Sequence, residues 1–587
     1  MSLAKIAGIE TEYGVMILGS EQGDPFLAAR LLLAAYRQVG GQAVPCHASY
    51  ATQSGYDIYS TEPASAEAWV PPQPLEIWSR TKNKARRGQR ERVQPPVYNP
   101  PVYGDTSLML ANGARFYIDH THPEYSTPEC LSSHQLVAAD KAGEQILAAC
   151  QRQVNTSGAL PAGQQLLVYK NNSDHLGNSY GCHENYLLSA ELFNDLLYRK
   201  THQIFRYLLP FLVTRPILCG AGKVGSENHT SAAGFQLSQR ADFFEMLVGL
   251  QTTHQRPLFN TRDEPHADAN RFRRLHMIVG DANMAEFSTY LKIGTTQLLL
   301  HMLEDGFIRA DLTLNDSLNA AQSVSRDLTF RQPLQLEDGR RMTALEIQEI
   351  YLDLAHRYLE QTGGSEEQWD VWQEWADVLE RLPDDWQALA TRLDWAIKRR
   401  VLERYLDVHQ LTWGEISAWQ PIVETTLEPV LPQTSYPPWS ARREPASSDR
   451  LAVAEELTRQ VGLAWKDYPR QREAYFDLRR FDLEYHDIRQ ETGAGEVGLF
   501  YRLQQRSGTE RLLDDDEIEQ MVVFPPPDTR SWLRGECIAR FADTVVAADW
   551  SQLHFRTTER QYCPNYILNL PDLQMGTKPI FRTLTTE

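Results

Sequence analysis

Residues 112–126 read NGARFYIDHTHPEYS, and within them Arg115, Tyr117 and Asp119 alternate with Phe116 and Ile118. Side chains of a β-strand point alternately to its two faces, so this segment puts three polar groups on one side and two apolar groups on the other. The polar face must meet water, a ligand or a metal. After Asp119 the chain runs into His120, His122 and Glu124, with Glu124 expected in the loop that follows the strand.

Two other segments have the same character. In GIETE, Glu10 and Glu12 stand two apart on a predicted opening strand, so both carboxylates project from one face. Carboxylates that close repel unless a proton or cation lies between them, and hard oxygen ligands suit Mg²⁺ when phosphates are also present. Two solvated glutamates are the ordinary alternative. The stretch KNNSDHLGNSYGCHENYLL (170–188) crowds Asn171, Asn172, Asp174, His175, Asn178, His183, Glu184 and Asn185 between apolar runs.

GFQLSQRADFFEM (234–246) and NTRDEPHADANRFRRLHMIVGDANMAE (260–286) add Arg240, Arg262, His266 and His276 beside apolar strands. Arginine is costly to bury unless it meets an anion, and its planar fork matches phosphate oxygens. Pairing with a neighbour such as Asp263 or Glu264 is the competing use. Carboxylates for a metal, arginines for phosphate and a few histidines together suggest an ATP and Mg²⁺ site built on a sheet. GAGKVG (220–225) lacks the P-loop spacing, and no H-E-x-x-H helix occurs. A nucleophile, if the chain uses one, would then be a carboxylate, with Asp119 the natural candidate. Metal ligand and general base are its competing roles.

The 587 residues are 42% apolar and 23% charged, which suits a mostly folded chain with a sizeable core. A net charge of −19 argues against non-specific binding to nucleic acid or to an anionic membrane. The seven cysteines are scattered and never spaced C-x-x-C, as expected in a reducing compartment without structural zinc. With no signal-like opening and no apolar run near the roughly 18 residues that span a bilayer, the expectation is a soluble cytoplasmic protein. The opening strand is predicted to turn into a loop at Gly14. Helices are predicted over 24–39, between 345 and 411, and over 448–466, with a proline-rich linker at 421–445 and a strand at 479–488. Residues 46–104, which include the basic run 80–92, show no sustained period, and a small terminal domain is expected from about Ser507.

GIETEYG, NGARFYIDHTHPEYSTPEC, YKNN followed by NSYGCHENYL, GFQLSQRADF, NTRDEPHAD and RLHMIVGDANMAE together resemble the Pup ligase and depupylase family, whose fold is related to glutamine synthetase. The resemblance covers most of residues 1–411 and resumes at FDLEYHDIR and PPPDTRSWLRGECIARF. It implies an α+β fold. A glutamine-synthetase-like catalytic domain over 1–505 would carry a curved, mainly antiparallel β-sheet packed by helices, and a small C-terminal α/β domain would follow over 506–587. Within the first, 46–104 would be a depupylase-type loop and 414–478 an inserted subdomain.

Ligases of this family carry a Gly-Ser insertion between the strand aspartate and the next His-Pro-Glu; DHTHPEY lacks it and resembles the depupylase form. The resemblance therefore implies hydrolysis of the isopeptide bond between the C-terminal glutamate side chain of a Pup-like modifier and a substrate lysine. It also implies deamidation of a C-terminal glutamine of the modifier. By position, Asp119 would be catalytic, attacking the side-chain carbon or activating water. Glu10, Glu12, Glu124 and His276 would hold Mg²⁺, and His183, Arg240, Arg262 and Arg489 would serve the nucleotide. ATP, or ADP plus phosphate, would be a bound cofactor. The alternatives are an ATP-consuming Pup-type ligase and a non-catalytic protein that binds the modifier.

Overall fold

Nine strands lead to the site in the computed structural model. They are β1 (Ala7–Glu12), β2 (Gly14–Leu18), β3 (Ala43–Pro45), β4 (Ser107–Leu110), β5 (Arg115–Asp119), β6 (His122–Ser126), β7 (Gln165–Tyr169), β8 (Cys182–Ser189) and β9 (Phe272–Met277). Seven of them form one antiparallel sheet in the order β9-β8-β1-β6-β5-β4-β3, and β2 pairs with β7 beside it. The structure describes residues 3–20, 24–46, 106–175, 177–253, 255–427, 447–490, 497–556, 566–570 and 572–573. The long stretch with its basic run at 80–92, and residues 428–446 of the proline-rich segment, lie outside them.

The sheet has one apolar and one polar face, as the alternation requires. On the apolar side Ile9, Phe116, Tyr125, Tyr186, Leu188 and Leu275 are fully buried. They pack with Leu136, Val137 and Leu147 of α2 (Ser133–Thr156) and with Leu291 of α3 (Glu286–Glu304). Burying each such side chain contributes about 1.5–3 kcal/mol, so the apolar face anchors the sheet and leaves the polar face free for chemistry. α2 starts where Ser132 Oγ accepts the Gln135 N–H at 3.0 Å. The predicted first helix is α1 (Pro25–Gln38), opened by Asp24 as cap and Pro25 at its first position.

Four expectations change, the first being that residues 421–425 of the predicted linker are the end of a helix over Trp413–Thr425 that carries Pro421 inside it. β1 ends at Glu12, and after the fully buried Tyr13 the chain enters β2 rather than a loop at Gly14. Residues 479–485 of the predicted strand are helical, forming the end of a helix over Tyr468–Tyr485, and beyond it Asp487 makes an isolated antiparallel bridge to Tyr169. The helix's buried residues Gln471, Tyr475, Leu478, Asp482 and Tyr485 recur at three to four, a period that the short window FDLEY hides behind an accidental alternation. The helix predicted over 448–466 stops at Gln460 and is followed by a short 3₁₀ turn at Trp465–Asp467.

The C-terminal helix Arg530–Arg540 and the three-stranded sheet of Val545–Ala548, Gln552–Phe555 and Tyr566–Asn569 lie against the β3 edge. Leu533, Cys537, Ile538 and Val545 share one apolar cluster with Val44, Cys46 and Met109. The six described cysteines are buried, and none of them forms a disulfide with another. Among the described residues no helix is long and apolar enough to cross a membrane.

Glu129, just beyond β6, is held by Arg530 and Arg534. Burial would raise its carboxyl, but the two guanidiniums outweigh burial and hold it at about 2. Its folded value lies below the unfolded one, so the stabilisation is present above about pH 4.5 and is lost as pH falls toward 2. Glu129→Gln is expected to cost about 3 kcal/mol at pH 7 and to flatten the acid side of the stability profile. Urea unfolding of both proteins from pH 7 to pH 2 checks it, and parallel profiles would refute it.

Candidate active site

Residues opposed in an antiparallel pair share a face. Glu10 opposes His183, Glu12 opposes Glu124, Glu124 opposes Tyr117, and His276 opposes Asn185. Five adjacent strands, β9-β8-β1-β6-β5, therefore carry His276, His183, Glu10, Glu12, Glu124, Tyr117 and Asp119 on the polar face. Two groups result. Ligand atoms of Glu10, His183 and His276 lie within 4.8 Å of one another, and so do those of Glu12, Asp119 and Glu124.

In the first group His183 Nδ1 and His276 Nε2 stand 3.4 and 3.6 Å from the same Glu10 oxygen. Burial would raise Glu10, but the two histidines and Arg274 hold its carboxyl well below the usual range. Burial pushes the His276 imidazole down to about 3, so it is neutral and able to donate a lone pair. In the second group burial, followed by the charges of Asp119, Glu12 and Glu10, pushes Glu124 well up. Tyr117 donates its hydroxyl to Glu124. Three carboxylates crowded in this way call for a cation between them.

Asp119 ends β5 and is paired with His122, so only His120 and Thr121 make the turn into β6. This corrects the expected loop position of Glu124, which is a strand residue in the middle of β6. His120 takes a left-handed conformation (φ 53°) and its Nδ1 lies 3.1 Å from Asp119 Oδ2. Burial would raise Asp119, yet the His120 hydrogen bond and charge keep it below its ordinary value; the same bond lifts His120 to about 9. Asp119 is thus an ionised carboxylate at a strand end, one-third exposed, beside two further carboxylates.

The glycine in YGCHE has a steric purpose. The Gly181 N–H donates to Glu12, and a Cβ at this position would collide with the His183 ring. Gly181→Ala is expected to turn His183 away from Glu10 and to weaken binding of ADP with Mg²⁺ at least tenfold, a loss of about 1.4 kcal/mol or more, with the fold kept. Calorimetric titration of ADP in the presence of Mg²⁺, with far-UV circular dichroism as the fold control, measures this; unchanged affinity would refute it.

The predicted arginines part company. Arg240 is 1% exposed, and among the described residues neither its Nε nor its Nη1 has a hydrogen-bond partner. Burial pushes its guanidinium below the ordinary value, with Glu12 and Asp281 acting against that shift. A buried fork with free donors near Glu12 is shaped for an anion. Arg262 instead pairs with Glu264 at 3.1 Å, the competing use named above, although the charges of Glu10 and Asp119 reach it. Arg489 is engaged by Asp487.

Arg274 was missed. Its Nη1 lies 3.3 Å from Glu10 and 3.0 Å from Asn185, and its Nη2 3.3 Å from Glu264. The signal was its spacing of two from His276, which puts both on one strand face. Arg115 stacks over the Tyr117 ring at 3.7 Å on the same face. Other members of the crowded 170–188 stretch lie elsewhere: Glu184 faces the other side of the sheet and pairs with Arg215 at 2.6 Å, His175 lies 3.5 Å from Glu227, and Asn178 donates to Asp174.

The donor set fits a divalent cation and an anionic phosphate group: three crowded carboxylates, a second carboxylate–imidazole group, and a buried guanidinium with free donors. The profile of the family described as Pup-ligase protein matches residues 5–421 and 449–554. The chain is 36% identical over 558 residues to the depupylase of Acidothermus cellulolyticus, covering 94% of this chain and 91% of that protein. It is 34% identical over 556 residues to the Pup deamidase/depupylase of Mycolicibacterium smegmatis, covering 94% and 92%. Its fold is similar to that of the ligase PafA in complex with the ubiquitin-like protein Pup, with a TM-score of 0.67 and 27% identity over 99% of this chain and 90% of that one. A structure of PafA with ADP gives a TM-score of 0.61 and 30% identity over 82% and 90%. By motif, sheet and matched length, this chain belongs to the Pup-ligase protein family, with similarity to its ligases and depupylases alike.

Proposed function

We propose that this chain is a depupylase and Pup deamidase. It hydrolyses the isopeptide bond between the C-terminal glutamate side chain of a Pup-like modifier and a substrate lysine, and deamidates a C-terminal glutamine of that modifier. The observation that carries this reading is the two-residue turn that joins Asp119 directly to the His122–Ser126 strand, the depupylase form of the hairpin, in a chain matched to depupylases over 94% of its length.

Both reactions cleave a carboxamide at the same side-chain carbon. Asp119, ionised and oriented by His120, attacks that carbon or activates the water that does; the C–N bond breaks, the nitrogen leaves as lysine amine or ammonia after taking a proton, and where Asp119 itself attacked, water then cleaves the resulting anhydride to free the modifier's glutamate carboxylate and restore Asp119. Glu10, Glu12, Glu124 and His276 would hold Mg²⁺, and Arg240, Arg262, Arg489 and His183 would meet ATP, or ADP and phosphate. When bound, metal and phosphates supply fixed charge around the developing oxyanion. Amide hydrolysis runs downhill, so the nucleotide is kept rather than spent. The partner is the modifier with its lysine conjugates, in the cytoplasm, with no part for nucleic acid or membrane. The same reading keeps the catalytic domain at 1–505, the insertion at 414–478 and the terminal domain at 506–587.

The test is incubation of the purified protein, ATP and Mg²⁺ with a Pup-like modifier from the same genome, as the glutamine form and as a lysine conjugate. Release of ammonia or of free lysine substrate without stoichiometric ADP establishes the reading. ADP formation tied to new conjugates would make the chain a ligase, and silence in both assays would leave a binding protein.

A further inference from the structure

Arg530 and Arg534 are charged residues of the RSWLRGECIARF motif to which the proposed chemistry gives no part, and both are buried to within 2%. Arg530 donates Nε to Glu129 at 2.8 Å and Nη1 to the carbonyls of His266 at 2.6 Å and Leu570 at 2.9 Å. Arg534 donates Nη2 to Glu129 and to the Gly113 carbonyl at 2.7 Å, and Nη1 to the Trp550 carbonyl at 3.0 Å. Thr529 adds a bond from its hydroxyl to the Glu129 carbonyl at 2.7 Å.

Three of these acceptors, Gly113, Glu129 and His266, stand at separate places around the site, while Leu570 and Trp550 belong to the C-terminal segment itself. Gly113 precedes β5, the strand that ends in Asp119. Glu129 follows β6, and its neighbour Cys130 exchanges two backbone hydrogen bonds with Ala7, the first residue of β1. His266, in the left-handed region at φ 46°, belongs to the loop that carries Arg262 and Glu264. A C-terminal helix thus ties the entry of the Asp119 hairpin, its exit toward β1, and the Arg262 loop through two planar forks. Backbone carbonyls in different loops are seldom gathered by one side chain unless their relative placement matters, and arginine alone has enough fixed donors to do it.

The geometry points to Arg530 and Arg534 as positioning residues: they hold the Arg262 loop in register with the Asp119 hairpin, so the C-terminal segment completes the nucleotide side of the site. The inference rests on the depupylase reading for the identity of the ligand. Its test has one arm that does not.

Arg530→Lys keeps the charge but cannot serve Glu129 and both carbonyls from one centre. Ile538→Val, on the same helix and fully buried, trims the core and leaves the forks intact. In the full-length protein, well below its unfolding temperature, Arg530→Lys is expected to speed backbone hydrogen exchange across 261–271 and to weaken binding of ADP with Mg²⁺ at least fivefold. Ile538→Val should lower the unfolding temperature and change neither. Unchanged exchange in Arg530→Lys, or equal effects in both variants, overturns the inference, because the forks would then be an ordinary structural staple. If exchange rises while ADP affinity holds, the loop is tied down but the site does not depend on it, which also overturns it. Failure of the wild type to bind ADP counts against the nucleotide reading alone, and the exchange arm still decides the positioning role.

Discussion

Asp119→Asn is expected to lower the rate constant for release of lysine substrate from a modifier conjugate by about 10³-fold or more, and to leave the affinity for ADP within a few-fold of the wild type. The substitution is nearly isosteric, and residue 119 sits at the end of a hairpin whose apolar side, Phe116 and Ile118, is untouched. The sheet should therefore stay as it is. What disappears is the ionised oxygen that attacks or takes a proton.

The same variant carries an internal control. His120 is lifted to about 9 by its hydrogen bond to Asp119, and an amide at 119 removes the charge that lifts it. The His120 resonance should then titrate nearer its ordinary value, about 6.5. Activity lost together with that shift places the defect at the turn. Activity lost with His120 still titrating near 9 would mean that the turn does not have this geometry in solution. Retention of a tenth of the activity would remove Asp119 from the catalytic role.

Much of this site was legible because a strand alternates. Glu10 with Glu12, and Arg115 with Tyr117 and Asp119, can be assigned to common faces from spacing alone. Which strands lie side by side cannot. The opposition of Glu12 to Glu124 and of Glu10 to His183 is a matter of pairing between segments more than 100 residues apart, and single-sequence periodicity contains nothing about it. Glu184 shows the same limit from the other side: next to His183 in sequence, it must point to the opposite face, where Arg215 meets it. The helix over Tyr468–Tyr485 was misread because five residues of apparent alternation outweighed a longer helical period. Arg262 was legible as a fork for phosphate, and its pairing with Glu264 two residues away is the competing use that spacing alone left open.

Arg240→Met should act in opposite directions on stability and on binding. In wild type the guanidinium is buried, with two nitrogens lacking any hydrogen bond among the described residues, and burying a charge without full pairing costs several kcal/mol. Methionine is similar in reach, flexible and apolar, so the ligand-free variant is expected to unfold at the same temperature as the wild type or a higher one. An anion in the site reverses the balance. A phosphate oxygen would take up the free donors in charge-assisted bonds, each worth about 1.5–3 kcal/mol, and the variant forfeits them. Affinity for ADP with Mg²⁺ should fall roughly a hundredfold, equivalent to about 2.7 kcal/mol. Thermal unfolding with and without ADP reads both effects at once: the ligand-free transition holds or rises, while the shift produced by nucleotide shrinks. A fall in the ligand-free transition would show that Glu12 or Asp281 already satisfies Arg240 within the protein. An undiminished nucleotide shift would take Arg240 out of the phosphate site. That second result would leave Arg262, whose partner Glu264 is exposed enough to yield it, as the phosphate contact.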